Sequence, residues 1–353
     1  MAGVSTSTRD LEAVHERLRA WFAEREDDPG VSVSAFEEVT HSGFSNQTLF
    51  FTLDRAGLPP ASLVLRLPPA GDGLFPSYDF EKQWRVQTML TGAGLPMASP
   101  VRYEPDDAWL GAPFLVMPRI SGHSPDDVTY MVKGWMHDQD SAVQRTCMES
   151  FAGLLCSLHS LEPGPYRAPL ARPGGGGLDA ELEWWHEYLL WASDGSPPAQ
   201  MAEAYVWAYQ TCPGNPYPDS VLWNDARLSN AVFHQDGRIA AALDWEQATI
   251  GPAEIDIGFW FATRRQTCEA MRIAADPELP GFPPRNELVT RLKERLGRPL
   301  HQLAWHELFA MIRMGTCIVG TQRVLRRSGH HDHFLMRAPL LPEWTAREMG
   351  LSR

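Results

Sequence analysis

The segment between residues 221 and 246 constrains the fold of this chain more than any other part of it. Two apolar, strand-like runs, Asn230–His234 and Arg238–Leu243, are separated by a turn that carries Asp236 and Gly237. Asp-Gly between two apolar runs is a signal for a β-hairpin. The sequence therefore predicts a hairpin that turns near residue 236.

Three polar side chains fall at the open end of this predicted hairpin. Asp225 precedes the first run, Asn230 begins it five residues later, and Asp244 follows the second run, nineteen residues after Asp225. An acid, an amide and a second acid at one edge form the oxygen-ligand set that Mg²⁺ with nucleotide phosphates requires. An ordinary hairpin with polar ends would produce the same spacing, so the segment alone leaves both interpretations open.

This pattern resembles the catalytic segment of the aminoglycoside phosphotransferase and choline kinase-like family, a branch of the kinase-like fold. That family usually has H-G-D-x-x-x-x-N, a hairpin and a buried Asp. Here Trp223 and Asn224 replace the His and Gly, whereas Asp225, Asn230 and Asp244 match. The resemblance implies that Asp225 is the catalytic base toward an acceptor hydroxyl. It also implies that Asn230 and Asp244 hold Mg²⁺ on the nucleotide phosphates.

A longer stretch around the second acid resembles one branch of that family. L-D-W-E at residues 243–246 is followed by G-P-A-E-I-D at residues 251–256. This context is similar to the kinase-like domain that is fused to some acyl-CoA dehydrogenases. The resemblance implies that Asp256 supports the catalytic loop through backbone hydrogen bonds.

Composition and charge narrow the class of protein. The 353 residues, 44% of them hydrophobic and 21% charged, are typical of an ordinary globular protein and are enough for two lobes or one large domain. The five cysteines are widely spaced and contain no C-x-x-C, which argues against a disulfide framework or a zinc site. The net charge of −13 and the absence of a basic stripe argue against nucleic acid as a partner.

Nothing in the sequence predicts a membrane partner. No apolar run approaches the roughly 20 residues that a membrane helix needs. The N-terminus, MAGVSTSTRDLEAVHERL, lacks a basic segment followed by an apolar one, as a secretory signal would have. We therefore expect a cytoplasmic protein.

The N-terminal part predicts one helix followed by a small antiparallel sheet. Apolar residues recur at helical spacing over residues 9–26, and residues 79–92 form a second helical pattern. The order of strands and helices, β-β-β-α-β-β, is that of the small lobe of a kinase-like fold. The strand-like runs are Val31–Thr40, Thr48–Asp54, Ser62–Leu67, Ser99–Tyr103 and Pro113–Arg119.

The remainder of the chain predicts a mostly helical lobe. Residues 121–140 are polar, which predicts a loop or an insertion. The predicted fold is thus α+β and bilobal, protein-kinase-like, with a five-stranded antiparallel sheet in a small lobe (1–119) and helices in a large lobe (120–353). Helical patterns cover residues 141–161, 179–193, 199–210, 286–296 and 303–326.

The link between the first two predicted strands is a candidate phosphate-binding loop. A kinase-like fold covers the nucleotide phosphates with this loop. Backbone N–H groups in such a turn can hold phosphate oxygens, and small residues permit close approach. Gly43, Ser45 and Asn46 are the expected donors. The loop contains only one glycine, so a plain hairpin turn is an equal alternative.

Arg66 is the candidate phosphate-binding cation. It lies on the third predicted strand, where kinases have a Lys that pairs with the α- and β-phosphates, and Arg can make bidentate contacts there. The resemblance implies that Gln83 stands where kinases have a Glu that pairs with this cation. Glu81 lies two positions earlier, about 200° around the helix, and so faces the wrong side. We expect Gln83 to bind the guanidinium. The alternative is an Arg exposed on an edge strand.

Residues 111–122 resemble the segment that links the two lobes and contacts adenine through its backbone. Met117, Arg119 and Ile120 are the expected contacts. Pro118 has no N–H, so the donor to adenine must come from a neighbour such as Arg119 or Ile120. An ordinary buried strand would have the same sequence pattern, so this alternative stays open.

The predicted function is Mg²⁺-dependent transfer of the γ-phosphoryl group of ATP or GTP to a hydroxyl of a small molecule. Arg227 is a further catalytic candidate, because it could contact a phosphate or the acceptor. A plain ion pair with a local carboxylate is an equal alternative. The resemblance offers an amino-sugar, a hydroxyacyl-CoA or another metabolite as the acceptor. Two alternatives stay open. One is a catalytically weak nucleotide-binding regulator, suggested by Trp223, Asn224 and Gln83, and the other is a nucleotidyl transferase.

Overall fold

The computed structural model describes residues 9–38, 45–274 and 277–351. The chain divides into two compact units, here called the sheet unit and the helical unit. Within the described ranges, no helix is long and apolar enough to cross a membrane. The sheet unit comprises Met1–Met89, Ala98–Arg119 and Thr321–Met336, and the helical unit comprises Leu90–Met97, Ile120–Gly320 and Arg337–Arg353.

The sheet unit begins with helix α1, Leu11–Arg25, inside the helix predicted for residues 9–26. Asp10 caps this helix, because its carboxylate accepts hydrogen bonds from the backbone N–H groups of Glu12 at 3.1 Å and Ala13 at 3.2 Å. Full burial of each large apolar side chain stabilises the fold by roughly 1.5–3 kcal/mol. The buried positions of α1 are Val14, Leu18, Trp21 and Phe22.

An antiparallel sheet follows α1, and helix α2, Phe80–Gly92, lies between its fourth and fifth strand segments in the sequence. The strand order is β1-β3-β4-β6-β5, and β2 pairs with β3 as β1 does. The segments β1 and β2 both lie within the first predicted strand, of which residues 39 and 40 fall outside the described ranges. The predicted five-stranded antiparallel sheet is therefore confirmed. The segments are β1 (Ser32–Val33), β2 (Glu37–Glu38), β3 (Gln47–Asp54), β4 (Ala61–Leu67), β5 (Arg102–Glu104) and β6 (Phe114–Pro118).

The core of the sheet unit lies between α1 and one face of the sheet. On β3, Leu49, Phe51 and Leu53 alternate with less buried residues, as a strand with one buried face requires. The rings of Phe22 and Phe51 approach to 5.9 Å between centroids. This layer fixes β3 and, through seven paired positions, its neighbour β4.

The helical unit contains most of the predicted helices. The patterns at 141–161, 179–193, 199–210, 286–296 and 303–326 all correspond to helices. Within residues 121–140, which were predicted to be a loop or an insertion, the structure has one short helix of four residues. The helices are α3 (Trp135–Asp138), α4 (Ser141–His159), α5 (Gly164–Leu170), α6 (Leu178–Ala192), α7 (Ala199–Thr211), α8 (Glu254–Met271), α9 (Arg285–Leu296), α10 (Leu303–Arg327), of which residues 321–327 are assigned to the sheet unit, and α11 (Glu343–Met349).

Two short antiparallel ladders lie between α7 and α8. Strands β8 (Ala231–Phe233) and β9 (Ile239–Ala242) form the predicted hairpin, with Ala231 opposite Ala242. Its turn needs a glycine, because Gly237 has φ 86° and a Cβ there would lie 2.6 Å from the Val143 carbonyl oxygen. The second ladder pairs β7 (Ser220–Leu222) with β10 (Thr249–Gly251), and the sequence analysis did not predict it.

Candidate active site

Three predicted side chains come together at the open end of the β8–β9 hairpin. The Asn230 side-chain nitrogen donates to Asp225 Oδ2 at 2.6 Å and to the Asp225 carbonyl oxygen at 3.0 Å. The backbone N–H of Leu243 donates to the Asn230 carbonyl oxygen at 2.8 Å, which fixes the start of Asp244 beside Asn230. The hairpin register thus brings two acids and an amide to one edge.

Asp225 is a carboxylate that is costly to ionise. Its side chain is 20% exposed. Burial raises the pKa of Asp225, and the nearby Asp244 raises it further, while Arg227 and Asn230 act in the opposite direction. A raised pKa is the direction that suits a group accepting a proton.

Arg227 lies between two carboxylates. Its Nη2 is 3.2 Å from Asp225 Oδ2, and its Nη1 donates to Asp127 Oδ2 at 2.9 Å. Asp127 also accepts a short hydrogen bond from the Ser229 hydroxyl. Burial lowers the pKa of Arg227, but Asp225 and Asp127 outweigh burial and the pKa is raised, so Arg227 stays a cation. Asp127 was not predicted as a site residue, because it lies in the polar stretch 121–140, whose composition predicts a loop or an insertion and does not single out any one acid.

The donor set at this edge fits Mg²⁺. A carboxylate accepts hydrogen bonds, so the Asn230 atom that faces Asp225 must be the amide nitrogen. This leaves the Asn230 amide oxygen, the atom that a hard cation binds, for another partner. Asp244 has φ 60°, in the left-handed region that Asp tolerates better than most residues. The described residues contain no group of three or more His, Cys, Asp or Glu suited to a metal, so phosphate oxygens would have to complete a shell here.

Asp256 supports the loop before Asp225, as the sequence analysis predicted. Asp256 is fully buried on the first turn of α8. Its carboxylate accepts hydrogen bonds from the backbone N–H groups of Trp223 at 2.9 Å and Asn224 at 2.7 Å. The His159 ring contributes a third contact, from Nε2 to Asp256 Oδ2 at 2.9 Å, which the sequence analysis did not predict.

The predicted phosphate-binding loop is only partly described. Gly43 lies outside the described residues. Ser45 and Asn46 are buried, and the Asn46 side-chain nitrogen lies 3.4 Å from the Ser45 hydroxyl. Their role as phosphate donors stays a prediction.

Arg66 occupies a central strand, not an edge strand. It lies on β4, opposite Thr48 of β3 on one side and Leu115 of β6 on the other. On helix α2, Glu81 points away from the core and pairs with Arg85 at 2.5 Å. Gln83 is 1% exposed, and its amide oxygen has no hydrogen-bond partner among the described residues. A buried acceptor of this kind is available to a cation or a ligand.

The predicted adenine-contacting segment contains β6. Met117 is buried and lies opposite Val64. The Arg119 backbone N–H donates to the Ser62 carbonyl oxygen at 3.0 Å, so the sheet already uses this donor. This finding corrects the expectation that Arg119 could supply the N–H to adenine and leaves Ile120 as the predicted donor. The Arg119 side chain pairs with Glu37 at 3.0 Å.

Comparison with known proteins identifies the family. The model of a family described as "Phosphotransferase enzyme family" (APH) matches residues 38–288. Acyl-CoA dehydrogenase family member 11 of Homo sapiens is 27% identical over 289 residues, which are 80% of this chain and 34% of that protein. Family member 10 of Mus musculus is 27% identical over 253 residues, which are 71% of this chain and 22% of that protein. The chain therefore spans about a third or less of the length of these relatives.

Solved structures share the fold. A Ralstonia eutropha protein provisionally described as an aminoglycoside phosphotransferase has a TM-score of 0.66 and 22% identity, with 95% of each chain covered. A macrolide 2'-phosphotransferase from Brachybacterium faecium has a TM-score of 0.57 and 15% identity, over 93% of this chain and 98% of that one. An aminoglycoside phosphotransferase from Streptomyces rimosus, in complex with ADP and streptomycin, has a TM-score of 0.54 and 16% identity, over 85% of this chain and 98% of that one. The α+β kinase-like fold is thus confirmed, and because the family match covers most of its length, this chain belongs to the APH phosphotransferase family.

Proposed function

We propose that this chain transfers the γ-phosphoryl group of ATP or GTP to a hydroxyl of a small molecule. The observation that carries the proposal is the meeting of Asp225, Asn230 and Asp244 at one end of the β8–β9 hairpin. Membership of a phosphotransferase family supports the same reaction class. Phosphoryl transfer needs little covalent chemistry from the protein, so positioned charges of this kind are its main requirement.

Asp225 is the proposed base for the acceptor hydroxyl. It holds the hydroxyl in line with the phosphoryl group and takes its proton as the new oxygen–phosphorus bond forms. Arg227 is proposed to hold Asp225 in place, since its guanidinium bridges Asp225 and Asp127. This bridge also prevents the Asp225 carboxylate from turning away from the acceptor.

Asn230 and Asp244 are the residues that would hold Mg²⁺. When bound, the ion supplies positive charge to the phosphate oxygens and holds the nucleotide in one geometry. The nitrogen of Asn230 is engaged by Asp225, so its oxygen is oriented by the same hydrogen bond that orients the base. In this proposal, the base and the metal site therefore share one hydrogen bond, from Asn230 to Asp225.

The remaining predicted residues are proposed to bind the nucleotide. Arg66 would contact the phosphates, because it lies on a central strand of the sheet unit. Gln83, which is buried in the same unit, would support Arg66. The backbone of the loop with Gly43, Ser45 and Asn46 would cover the phosphates. Met117, Arg119 and Ile120 would lie nearest to adenine, with the N–H of Ile120 as the donor. The structure of the Streptomyces rimosus relative contains ADP, which favours a nucleotide co-substrate here.

The acceptor is proposed to be a small alcohol. Amino-sugars and macrolides are named for the structural relatives, and acyl-CoA is part of the name of the curated relatives. A hydroxyacyl-CoA is the first candidate to test, because those curated relatives share 27% identity with this chain. An amino-sugar and other hydroxylated metabolites come next.

A library of acceptors with Mg-ATP or Mg-GTP tests the proposal. We expect release of the nucleoside diphosphate together with a product that is heavier by one phosphoryl group. Addition of a nucleoside monophosphate would instead show a nucleotidyl transferase. Nucleotide binding without turnover of any acceptor would show a regulator, and either outcome would contradict the proposal.

The Asp225→Asn variant tests the proposed base. Loss of a general base lowers turnover by about 10²–10⁴-fold. Nucleotide affinity in calorimetry should stay within about threefold, because Asn230 and Asp244 remain. Asp236→Asn is the matched control, since Asp236 is a half-exposed acid in the turn of the same hairpin. Turnover by Asp225→Asn close to that of Asp236→Asn would rule out Asp225 as the base.

A further inference from the structure

Trp223 connects the loop of the proposed base to the loop of the second acid. Trp223 is fully buried, and its indole Nε1–H donates to the Leu243 carbonyl oxygen at 2.8 Å. Trp223 stands two residues before Asp225, and Leu243 stands one residue before Asp244. A single side-chain hydrogen bond thus spans the two segments that carry the acids.

The indole ring is itself held in place. It stacks on the Trp245 ring with 5.3 Å between centroids and 15° between planes. Trp245 follows Asp244 directly and is also fully buried. The hydrogen bond is made to the residue before Asp244 and the stacking contact to the residue after it. Together these two contacts fix the orientation of the Trp223 indole.

Asn224 fixes the loop from the opposite side. Its φ of 65° lies in the left-handed region, which Asn tolerates at low cost. Its side-chain nitrogen donates to Glu181 Oε2 at 2.8 Å and to the Gln247 carbonyl oxygen at 3.1 Å. Its carbonyl oxygen accepts a short hydrogen bond from the buried Arg313 guanidinium. The residue directly before Asp225 is therefore bonded through its side chain and both of its backbone polar groups.

Glu181 makes this anchor rigid. It is fully buried and pairs with Arg172, whose Nε donates to Glu181 Oε1 at 2.6 Å. Burial raises the pKa of Glu181, but Arg172 and Asn224 outweigh burial, so the pKa is lowered and Glu181 stays an anion. Moving Asn224 would leave this buried anion short of a donor, which is strongly unfavourable.

We propose that Trp223 and Asn224 are positioning residues that fix Asp225 relative to Asp244. Trp223 ties the base segment to the metal-binding segment, and Asn224 ties it to a buried ion pair. The inference rests on the proposed function, in which Asp225 is the base and Asp244 a metal ligand. It implies that the two departures from H-G-D preserve catalysis and do not mark a weakened enzyme.

A matched pair of variants, Trp223→Phe and Trp223→His, tests the indole donor. When the five-membered rings are superposed, His Nε2 takes the place of Trp Nε1, so His keeps the donor and loses the larger ring. Phe keeps a six-membered ring for the contact with Trp245 and loses the donor. We expect kcat to fall about tenfold in Trp223→Phe, with the KM for Mg-nucleotide within about threefold. Trp223→His should keep a higher kcat than Trp223→Phe although its Tm is equal or lower.

The opposite order of kcat and Tm separates positioning from stability. A Trp223→Phe variant with wild-type kcat, or with a kcat equal to that of Trp223→His, would overturn the role of the donor. If the wild type transfers no phosphoryl group to any acceptor, the proposed function fails. The hydrogen bond from Trp223 to Leu243 can then still be tested by hydrogen exchange. The indole N–H signal of Trp223, identified by its loss in Trp223→His, should exchange slowly with solvent. Fast exchange would overturn the contact itself.

Asn224→Gly and Asn224→Asp test the second anchor. Gly adopts the same φ but has no side chain, whereas Asp keeps the shape and places an oxygen against two acceptors. We expect kcat to fall about threefold in Asn224→Gly and further in Asn224→Asp. Asp194→Gly is the control, because Asp194 has φ 50° and is exposed. Equal kcat in Asn224→Asp and Asp194→Gly would refute the anchor.

Discussion

Each unit of the protein buries a carboxylate that accepts three hydrogen bonds. The two carboxylates differ in the parts of the structure that their hydrogen bonds fix. In the sheet unit, Glu104 accepts from Trp21 Nε1 at 2.7 Å, from Arg25 Nη2 at 2.7 Å and from the Asp106 backbone N–H at 3.0 Å. Two of these donors lie on α1 and Glu104 ends β5, so the contacts join a helix to the sheet. Glu104 therefore stabilises the scaffold.

In the helical unit, Asp256 receives two of its hydrogen bonds from peptide N–H groups of Trp223 and Asn224. Those peptides directly precede Asp225. Any displacement of the Asp256 carboxylate is therefore passed to the proposed base. A buried anion should therefore affect activity when it binds backbone groups of the site. It should affect only stability when it binds side chains that hold the scaffold together.

Asp256→Asn should lower both the free energy of unfolding and kcat, and of the variants in this comparison it should show the largest loss of stability. An amide can accept on one side only, so one buried backbone N–H loses its acceptor and the helix N-terminus loses an anion. We expect the free energy of unfolding to fall by about 3 kcal/mol in denaturant titrations. We also expect kcat to fall by about 100-fold at a temperature where the variant is folded.

One outcome of the Asp256→Asn experiment would contradict the proposed difference between Asp256 and Glu104. If stability falls and kcat of the folded fraction does not, Asp256 serves the scaffold just as Glu104 does. Asp236→Asn again supplies the control, because the exposed turn acid should change stability by less than about 0.5 kcal/mol.

Glu104→Gln should lower stability alone. Loss of the charge weakens the hydrogen bonds from Trp21 and Arg25, which we expect to cost about 1–2 kcal/mol, a value kept low because the Arg25 side chain is 48% exposed. Turnover of the folded variant should match the wild type. A kcat that falls together with stability would show that the sheet scaffold and the chemistry are coupled.

The stabilisation by Glu104 should depend on pH. Burial raises the pKa of Glu104, but the hydrogen bonds from Trp21 and Arg25 outweigh burial, so its pKa in the folded protein lies below the ordinary 4.5. As the pH falls, the unfolded chain takes up this proton first, so the stabilisation is present above pH 4.5 and is lost as the pH drops through the lowered pKa. The stability difference between wild type and Glu104→Gln should therefore shrink below pH 4.5 in denaturant titrations. A difference that stays constant with pH would contradict this account.

Sequence reasoning succeeded where the signal is local. The hairpin and the meeting of Asp225, Asn230 and Asp244 follow from spacing and from an Asp-Gly turn, and helix α1 and strand β3 follow from apolar periodicity. Asp256 was predicted only through family resemblance. Its two backbone hydrogen bonds could not have been inferred from residue spacing.

Long-range side-chain contacts explain what the sequence did not predict. Arg227 and Asp127 are 100 residues apart, His159 and Asp256 are 97 apart, and Asn224 and Glu181 are 43 apart. Such pairs form only when whole helices pack, and no periodicity records them. The Arg119 N–H was one of two candidate donors to adenine, and its bond to Ser62 could not be foreseen because it depends on the strand pairing of β4 with β6.

Glu81→Gln should have the smallest effect on stability and activity. It extends the comparison to a carboxylate that is not buried. Glu81 forms an i,i+4 pair with Arg85, in which both side chains are about half exposed, 48% and 56%. Such a pair contributes less than about 0.5 kcal/mol, so the free energy of unfolding should change by no more than this. Affinity for Mg-nucleotide in calorimetry should stay within about twofold, because Glu81 lies on the outer face of α2.

Gln83→Ala, on the buried face of the same helix, is the contrasting variant. If Gln83 supports Arg66, its loss should weaken nucleotide affinity by about threefold, the equivalent of one neutral hydrogen bond of about 0.7 kcal/mol. Affinity lost in Glu81→Gln but kept in Gln83→Ala would reverse the assignment. The partner of the phosphate-binding cation would then have to be sought on the exposed face of α2, and burial would no longer distinguish the functional side chains of this helix from its solvated ones.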